Sequence, residues 1–473
     1  MSPARRLPTP AIVPPLDPAF RPAVLADRAF REDVRASGEA VPLVFALERG
    51  DGEVSRHDSV AFAPGHPGAA ANLAYAERLL KFLLWARGGW RVWVAGPKRV
   101  AEFLAREYAA GGGRAFDASV IGQQVYERPL TFVACGTGEV PAATQCGQPL
   151  GGHLDGCRIG FDLGASDLKV SAVVDGHAIF SEEIVWEPVG QQDPSYHYDR
   201  IAAALTLARA RMPRLDAIGG SAAGVYVNNR PMVASLFRGI PSDRYGEVRT
   251  MFLRMREQFG VPLEVINDGD VTALAGAMSI GDNGVLGIAL GSSEAAGYVD
   301  PAGSVTGWLN ELAFAPIDYR VDAPVDEWSG DRGVGATYLS QQCVFRLAPG
   351  VGIVLPDASE VTNAEKLTLV QRALEAGHEG ARRIFETIGV YLGYALAHYA
   401  QFYDVKHALV LGRVTTGSGG SLILEQARSV MRAEFPELAC RMQIQLPDEK
   451  SRRVGQSIAA ASLPVLRPII NSR

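Results

Sequence analysis

The sequence predicts an α/β protein of more than one domain, and three observations predict it. Short apolar runs end in small-residue loops, as in RIGFDLGAS, AIGGSAAG, GVLGIALGSS and HALVLGRVTTG. Amphipathic segments at helical spacing alternate with them. The 473 residues, 47% hydrophobic and 21% charged, suffice for two or three packed cores.

Residues 1–40 open with a proline-rich stretch that lacks periodicity and reads as a flexible arm or surface strap. Residues 41–150 read as an additional α/β domain with its linker. Two apolar runs flank Gly50, Asp51 and Gly52, a hairpin pattern, and the amphipathic NLAYAERLLKFLLWA follows. WRVWVAG, KRVAEFLAREYAA and PLTFVACG then read as strand, helix and strand, and GTGEVPAATQCGQPLGGHLDG as linker.

A second α/β region spans 151–280 and a third 281–473. RIGFDLGASDLKVSAVVDGHAIFSEEIVW predicts three strands joined by tight turns, and DRIAAALTLARARM a helix. Further on, EVRTMFLRMREQFG predicts a helix, PLEVI a strand, and VTALAGAM a helix. A long helix begins near 379, HALVLG is a strand, and GSLILEQARSVMRAEF and VGQSIAAASL are helices.

Net charge is −6, without a basic block or stripe, so neither nucleic acid nor an anionic membrane is an expected partner. No apolar run is long enough to span a bilayer, and prolines interrupt the start where a signal peptide needs its apolar stretch, which predicts a cytoplasmic chain. Cys135, Cys146, Cys157, Cys343 and Cys440 contain no C-x-x-C pair, so neither disulfides nor structural zinc are expected.

Candidate chemistry lies in the loops. In DLGASDLK, Asp162 ends a strand before Gly164, Ala165 and Ser166. Small residues admit an anion to backbone N–H groups, and a carboxylate there suits Mg²⁺ held through water. A plain β-hairpin turn uses the same residues. Gly291, Ser292 and Ser293 follow another strand, and RVTTGSGG (413–420) a third. Ligands of open α/β sheets bind beyond such strand ends. In EVINDGDVTALAG (264–276), Asp268 is a candidate base and Asp270 the expected helix cap.

These blocks resemble the ROK family (repressor, open reading frame, kinase) of the sugar kinase, Hsp70 and actin superfamily. DLGASDLK, SAAGVYVNNRPMV, FGVPLEVINDGDVTALAG, IALGSSEAAGYVDPAGSVTGWLNELAF and ALVLGRVTTGSGG follow the family's order over about 155–465. The resemblance implies two ribonuclease-H-like domains around a cleft, the actin-like ATPase fold, with residues 41–150 as an extra domain. It implies a kinase transferring phosphate from ATP, with Mg²⁺, to a hydroxyl of a sugar or sugar-like molecule. Asp268 is then the base, and Asn267, Glu311, Gly224 and Arg238 face the acceptor. Asp162, Gly164, Ala165, Ser166, Lys169, Gly291, Ser292, Ser293, Gly412, Arg413 and Gly417 face ATP, with Asp162 holding Mg²⁺ through water.

The chain departs from that family at several points. The histidine of its GELGH segment is Phe314 here. Its zinc motif falls on WSGDRGVGATYLS (328–340), where Ser329, Val334 and Ala336 replace two cysteines and a glutamate, so no zinc site is expected. Glu294 stands in the second phosphate loop, where its charge would repel a polyphosphate. LFRGIP (236–241), with Arg238, replaces a sugar-binding segment. These changes keep a second reading open: a sugar-binding or regulatory protein that has lost catalysis. Residues 41–150 lack a basic helix-turn-helix pattern, which disfavours a repressor, and they allow a homodimerisation module.

Overall fold

The computed structural model describes residues 7–50, 52–144, 150–357, 361–447 and 449–466. Two compact units result, neither contiguous in sequence: Met1–Cys146, Ile288–Ala296 and Trp308–Leu446 form one, and Gly147–Gly287, Gly297–Gly307 and Pro447–Arg473 the other.

In the first unit, Asp17 anchors the chain within the 1–40 stretch, whose prolines predict a flexible arm or surface strap. Asp17 receives both Arg320 guanidinium nitrogens at 2.7 and 2.9 Å and the Tyr391 hydroxyl at 2.7 Å. Helix α1 (Ala23–Ala36) follows Pro22 and buries Val24, Leu25, Phe30 and Val34. The cause is burial: these apolar side chains find a core that local composition does not reveal.

Strands β1 (Ala40–Glu48) and β2 (Val54–Phe62) form the expected hairpin, although Asp51 itself lies outside the described residues. Helix α2 (Ala71–Arg87), β3 (Arg91–Ala95), α3 (Lys98–Glu107), the single turn α4 (Ala115–Asp117), a π-helical stretch (Ala118–Val125) and β4 (Thr131–Cys135) follow. The sheet order is β2-β1-β3-β4, with β3 and β4 parallel.

The second unit begins with the antiparallel strands β5 (Cys157–Leu163), β6 (Asp167–Val174) and β7 (His177–Val185). Helix α5 (Pro194–Arg209) leads to β8 (Ala217–Ala222), which pairs parallel with β5. A small hairpin, β9 (Val225–Val227) and β10 (Arg230–Val233), turns through Asn228 and Asn229, at φ +50° and +63°. Asparagine tolerates that left-handed conformation, which matches the twist of a two-residue hairpin. Helix α6 (Tyr245–Phe259), β11 (Leu263–Asn267) and α7 (Asp268–Ile280) complete the series.

The sheet order is β11-β8-β5-β6-β7. Asp162 pairs with Ser221, and Asn267 with Ala222, so the carboxyl ends of three parallel strands meet at one edge. Its core includes Phe161, Val170, Leu205, Phe252 and Val265.

Strands β12 (Val285–Leu290) and β13 (Glu294–Val299) carry the chain from one unit into the other and back. Helices α8 (Gln341–Leu347), α9 (Asn363–Glu375) and α10 (Glu379–Tyr399) precede β14 (His407–Leu411), α11 (Ser418–Glu434), α12 (Pro436–Arg441) and β15 (Gln443–Gln445). The sheet runs β13-β12-β14-β15. Helix α10 is almost wholly buried, and its Gly393 lets Val430 of α11 approach. Finally α13 (Glu449–Ala461) returns to the second unit, where a side chain at Gly160 or Gly219 would collide with the backbone of Ser457 or Ala460.

No helix among the described residues is long and apolar enough to cross a membrane. Cys135, Cys157, Cys343 and Cys440 are free thiols, and Cys146 lies outside the described residues.

Candidate active site

In the second unit, Asp162 ends β5 and Asp268 opens α7, at the shared carboxyl edge of the sheet. The Ser221 hydroxyl donates to Asp162 at 2.6 Å. Burial raises the Asp162 pKa, and this hydrogen bond opposes the rise. Burial, with the negative field of Asp162 second, pushes Asp268 up to about 6. A carboxylate titrating there changes charge near neutrality, as a general base must.

Asn267 fixes where Asp268 starts. Its side-chain oxygen accepts from the Gly269 N–H at 2.7 Å, and its amide donates to the Gly224 carbonyl at 2.7 Å. Asn267 is therefore the helix cap, a role expected of Asp270. Asp270 sits inside the first turn, is buried, and accepts from the Tyr298 N–H at 3.0 Å. The cap falls to Asn267 because it alone keeps an extended backbone, φ −57° and ψ 141°, before the helical residues. Gly224, at φ +118°, lies so close to Val233 and Ala234 that a side chain there would clash.

Two residues from Gly224 stands Tyr226, which the sequence does not single out. Its hydroxyl is buried without a hydrogen-bond partner among the described residues. Burial raises its pKa well above the usual phenol value, with smaller contributions from Tyr245 and Asp268. Its only sequence signal is its place directly after a glycine loop.

The turn after β5 is tight. Gly164 N–H donates to the Asp167 carbonyl at 2.9 Å, while the Gly164 carbonyl accepts from the Trp186 indole at 2.8 Å. Ala165 and Ser166 are exposed at its tip. Lys169 faces Asp162 across the β5–β6 ladder and pairs with Asp167 at 3.3 Å. Arg238 is exposed, at the end of a 3₁₀ turn (Ser235–Phe237).

The first unit carries the other loops. Gly291, Ser292 and Ser293 make the β12–β13 turn, with Gly291 N–H on the Ser293 carbonyl at 3.0 Å. Glu294 does not face that turn. It is 3% exposed, accepts from the Tyr399 hydroxyl at 3.0 Å, and packs against Gly335. Burial pushes it up to about 8, so near neutral pH it is mostly uncharged. The repulsion expected of an acid in this loop is thereby relieved, because the side chain lies in the core as a neutral acid.

After β14, Gly412 takes φ +97° beside the Leu290 backbone, Arg413 begins a 3₁₀ turn, and Gly417, at φ +71°, precedes α11. Glu311 is half-buried, and its N–H donates to the Trp85 carbonyl at 3.0 Å. In the 328–340 segment, Ser329 donates to Asp326 through its N–H and hydroxyl at 2.7 and 2.6 Å. Val334 and Ala336 are buried. Among the described residues, no three His, Cys, Asp or Glu side chains group to hold a metal ion.

No protein-family model matches the chain, and no curated protein is similar to it in sequence. Solved structures do match. A ROK hexokinase from Thermus thermophilus aligns at TM-score 0.50 and 17% identity, over 64% of this chain and 97% of that one. A ROK family transcriptional regulator, a homologue of the E. coli MLC protein, aligns at TM-score 0.52 and 17% identity, over 66% of this chain and 78% of that one. At these identities the likeness is one of fold: the chain shares the α/β fold of a ROK hexokinase and of a ROK regulator.

Proposed function

We propose that the chain is an ATP- and Mg²⁺-dependent kinase that phosphorylates a hydroxyl of a sugar or sugar-like small molecule. Two ribonuclease-H-like domains carry the reaction, with the N-terminal α/β region as an addition. The observation that carries the proposal is Asp268, a half-buried carboxylate lifted to about 6 beside Asp162 at the carboxyl edge of the parallel strands.

In this reading, Asp268 accepts the proton of the acceptor hydroxyl as its oxygen bonds to the γ-phosphorus and the bond to the ADP oxygen breaks. The remaining N–H and lone pair of Asn267, with Gly224 and Glu311, orient neighbouring hydroxyls. Arg238, exposed after its 3₁₀ turn, takes an anionic group on the acceptor. The backbone of Gly164, Ala165 and Ser166, with Lys169, and that of Gly291, Ser292 and Ser293, faces the phosphates. Gly412, Arg413 and Gly417 face the nucleoside.

The donor set suits Mg²⁺. One Asp162 oxygen is occupied by Ser221, the other remains for a metal-bound water, and Mg²⁺ bound to phosphates keeps most of its waters. Bound there, Mg²⁺ draws charge from the transferring phosphoryl group.

ADP release is measured with ATP, Mg²⁺ and a panel of sugars, sugar acids and cyclitols. Turnover of at least one acceptor, lowered by ~10²–10⁴-fold in Asp268→Asn, is expected. No turnover with any acceptor, or full activity in the variant, overturns the proposal.

A second reading, a sugar-binding regulator without catalysis, is favoured by the fold shared with a ROK regulator and by the altered 328–340 segment. Calorimetry with ATP and Mg²⁺ separates the two, since a sensor of sugar alone shows no nucleotide heat.

A further inference from the structure

The segment bearing Glu311 is held by the N-terminal region, within a single unit. The N–H groups of Asn310 and Glu311 donate to the carbonyls of Ala86 and Trp85, both at 3.0 Å. These carbonyls belong to the last turn of α2, which has no intrahelical donors for them. Asn310 is buried in a left-handed conformation, φ +52°, and accepts from the Tyr403 hydroxyl at 3.0 Å. A non-glycine residue is strained there, so the surrounding bonds must impose that backbone.

The same helix turn is fixed from below by a buried charge network. Lys81 is 0% exposed and donates to Asp117 at 2.7 Å, with Asp331 at 3.2 Å. The Trp85 indole donates to the same Asp117 oxygen at 2.8 Å. Arg114 and Arg78 reach Asp331 at 2.8 and 3.3 Å. Phe314, three residues past Glu311, packs on the Trp85 ring at 4.5 Å between centroids. The segment from Asn310 to Asp331 is thus pinned to α2 at its start and its end. Buried ion networks stabilise little compared with apolar packing, whereas their directional bonds set register.

We propose that α2, through Lys81, Asp117 and Asp331, is a positioning element for Glu311 and hence for the acceptor sugar; this rests on the kinase reading above. The N-terminal region then completes the sugar side of the site instead of standing apart from it. Lys81 touches no reacting atom, so its effect falls on acceptor binding and not on phosphoryl transfer.

The test uses the full chain carrying Lys81→Met, with the milder Asp117→Asn should the first fail to fold. Hydrogen exchange is read at the Asn310 and Glu311 amides. KM is read for ATP and for the panel acceptor that the wild type turns over fastest. Expected are exchange at least tenfold faster at these two amides and an acceptor KM at least fivefold higher, with ATP KM and kcat within twofold. An active wild type whose folded variant shows unchanged exchange, or both KM values rising together, overturns this inference alone. A wild type that turns over no acceptor overturns the kinase reading, and this inference with it.

Discussion

The Tyr399 hydroxyl donates to Glu294 at 3.0 Å, turning the one acidic residue of the β12–β13 turn into the core. A buried acid lifted to about 8 from an ordinary 4.5 holds its proton longer in the folded than in the unfolded chain. Stability is therefore full below about 4.5 and falls as pH rises toward about 8. Glu294→Gln removes that loss. Urea unfolding should show wild type and variant alike in pH dependence near pH 4, and the variant gaining roughly 5 kcal/mol on the wild type by pH 9. Parallel curves from pH 4 to 9 would contradict the assignment.

Asp268 should set the lower limb of the pH–activity profile. With its pKa near 6, kcat/KM for the acceptor rises through pH 6 and levels above pH 7. Asp162→Asn removes the like charge and should move this midpoint down, while raising the Mg²⁺ concentration that activity requires. Asp268→Asn should lower kcat by ~10²–10⁴-fold, the range of a lost general base. Its melting temperature at pH 8 should not fall, because ionised Asp268 is disfavoured by folding. A midpoint that stays at pH 6 in Asp268→Asn would assign the titration to another group.

How far the site was legible follows from which interactions are local. The motif EVINDGDVTALAG announces a strand passing into a helix with carboxylates at the junction, and β11 and α7 meet there. Choosing between Asn267 and Asp270 as the cap required backbone angles, since both residue types favour that role. Glu294 reads as a repulsive charge because its partner Tyr399 lies on a distant helix. The sequence does not single out Lys81 within its amphipathic segment, yet it is buried against Asp117 and Asp331, which only tertiary folding brings together. The unit boundaries were hidden for the same reason: α13, last in sequence, packs on glycines of β5 and β8.

Gly224 links the hairpin to the candidate base. Its carbonyl accepts from Asn267, and its φ of +118° beside Val233 excludes a side chain. Gly224→Ala should cost about 1–3 kcal/mol through strain and crowding. Displacing the carbonyl also frees Asn267, so kcat should fall by more than the stability loss accounts for at temperatures where the variant stays folded. Circular dichroism with parallel ADP-release assays checks both. Unchanged kcat in a destabilised variant would confine Gly224 to folding.

Ser221 tunes Asp162, and its removal provides a handle on the proposed metal role. The hydroxyl is buried and donates at 2.6 Å to a carboxylate whose pKa burial already raises. Ser221→Ala leaves that carboxylate without its donor, so its pKa rises further and less of it is ionised at mildly acid pH. Mg²⁺ held through water favours the ionised form. The half-saturating Mg²⁺ concentration for ADP release should therefore rise about fivefold at pH 6, the equivalent of one hydrogen bond of about 1 kcal/mol. At pH 8 the shift should be smaller than at pH 6, because a higher pH favours the ionised carboxylate in both proteins. A Mg²⁺ requirement that does not change in the variant, or that changes equally at both pH values, would place the ion on other ligands.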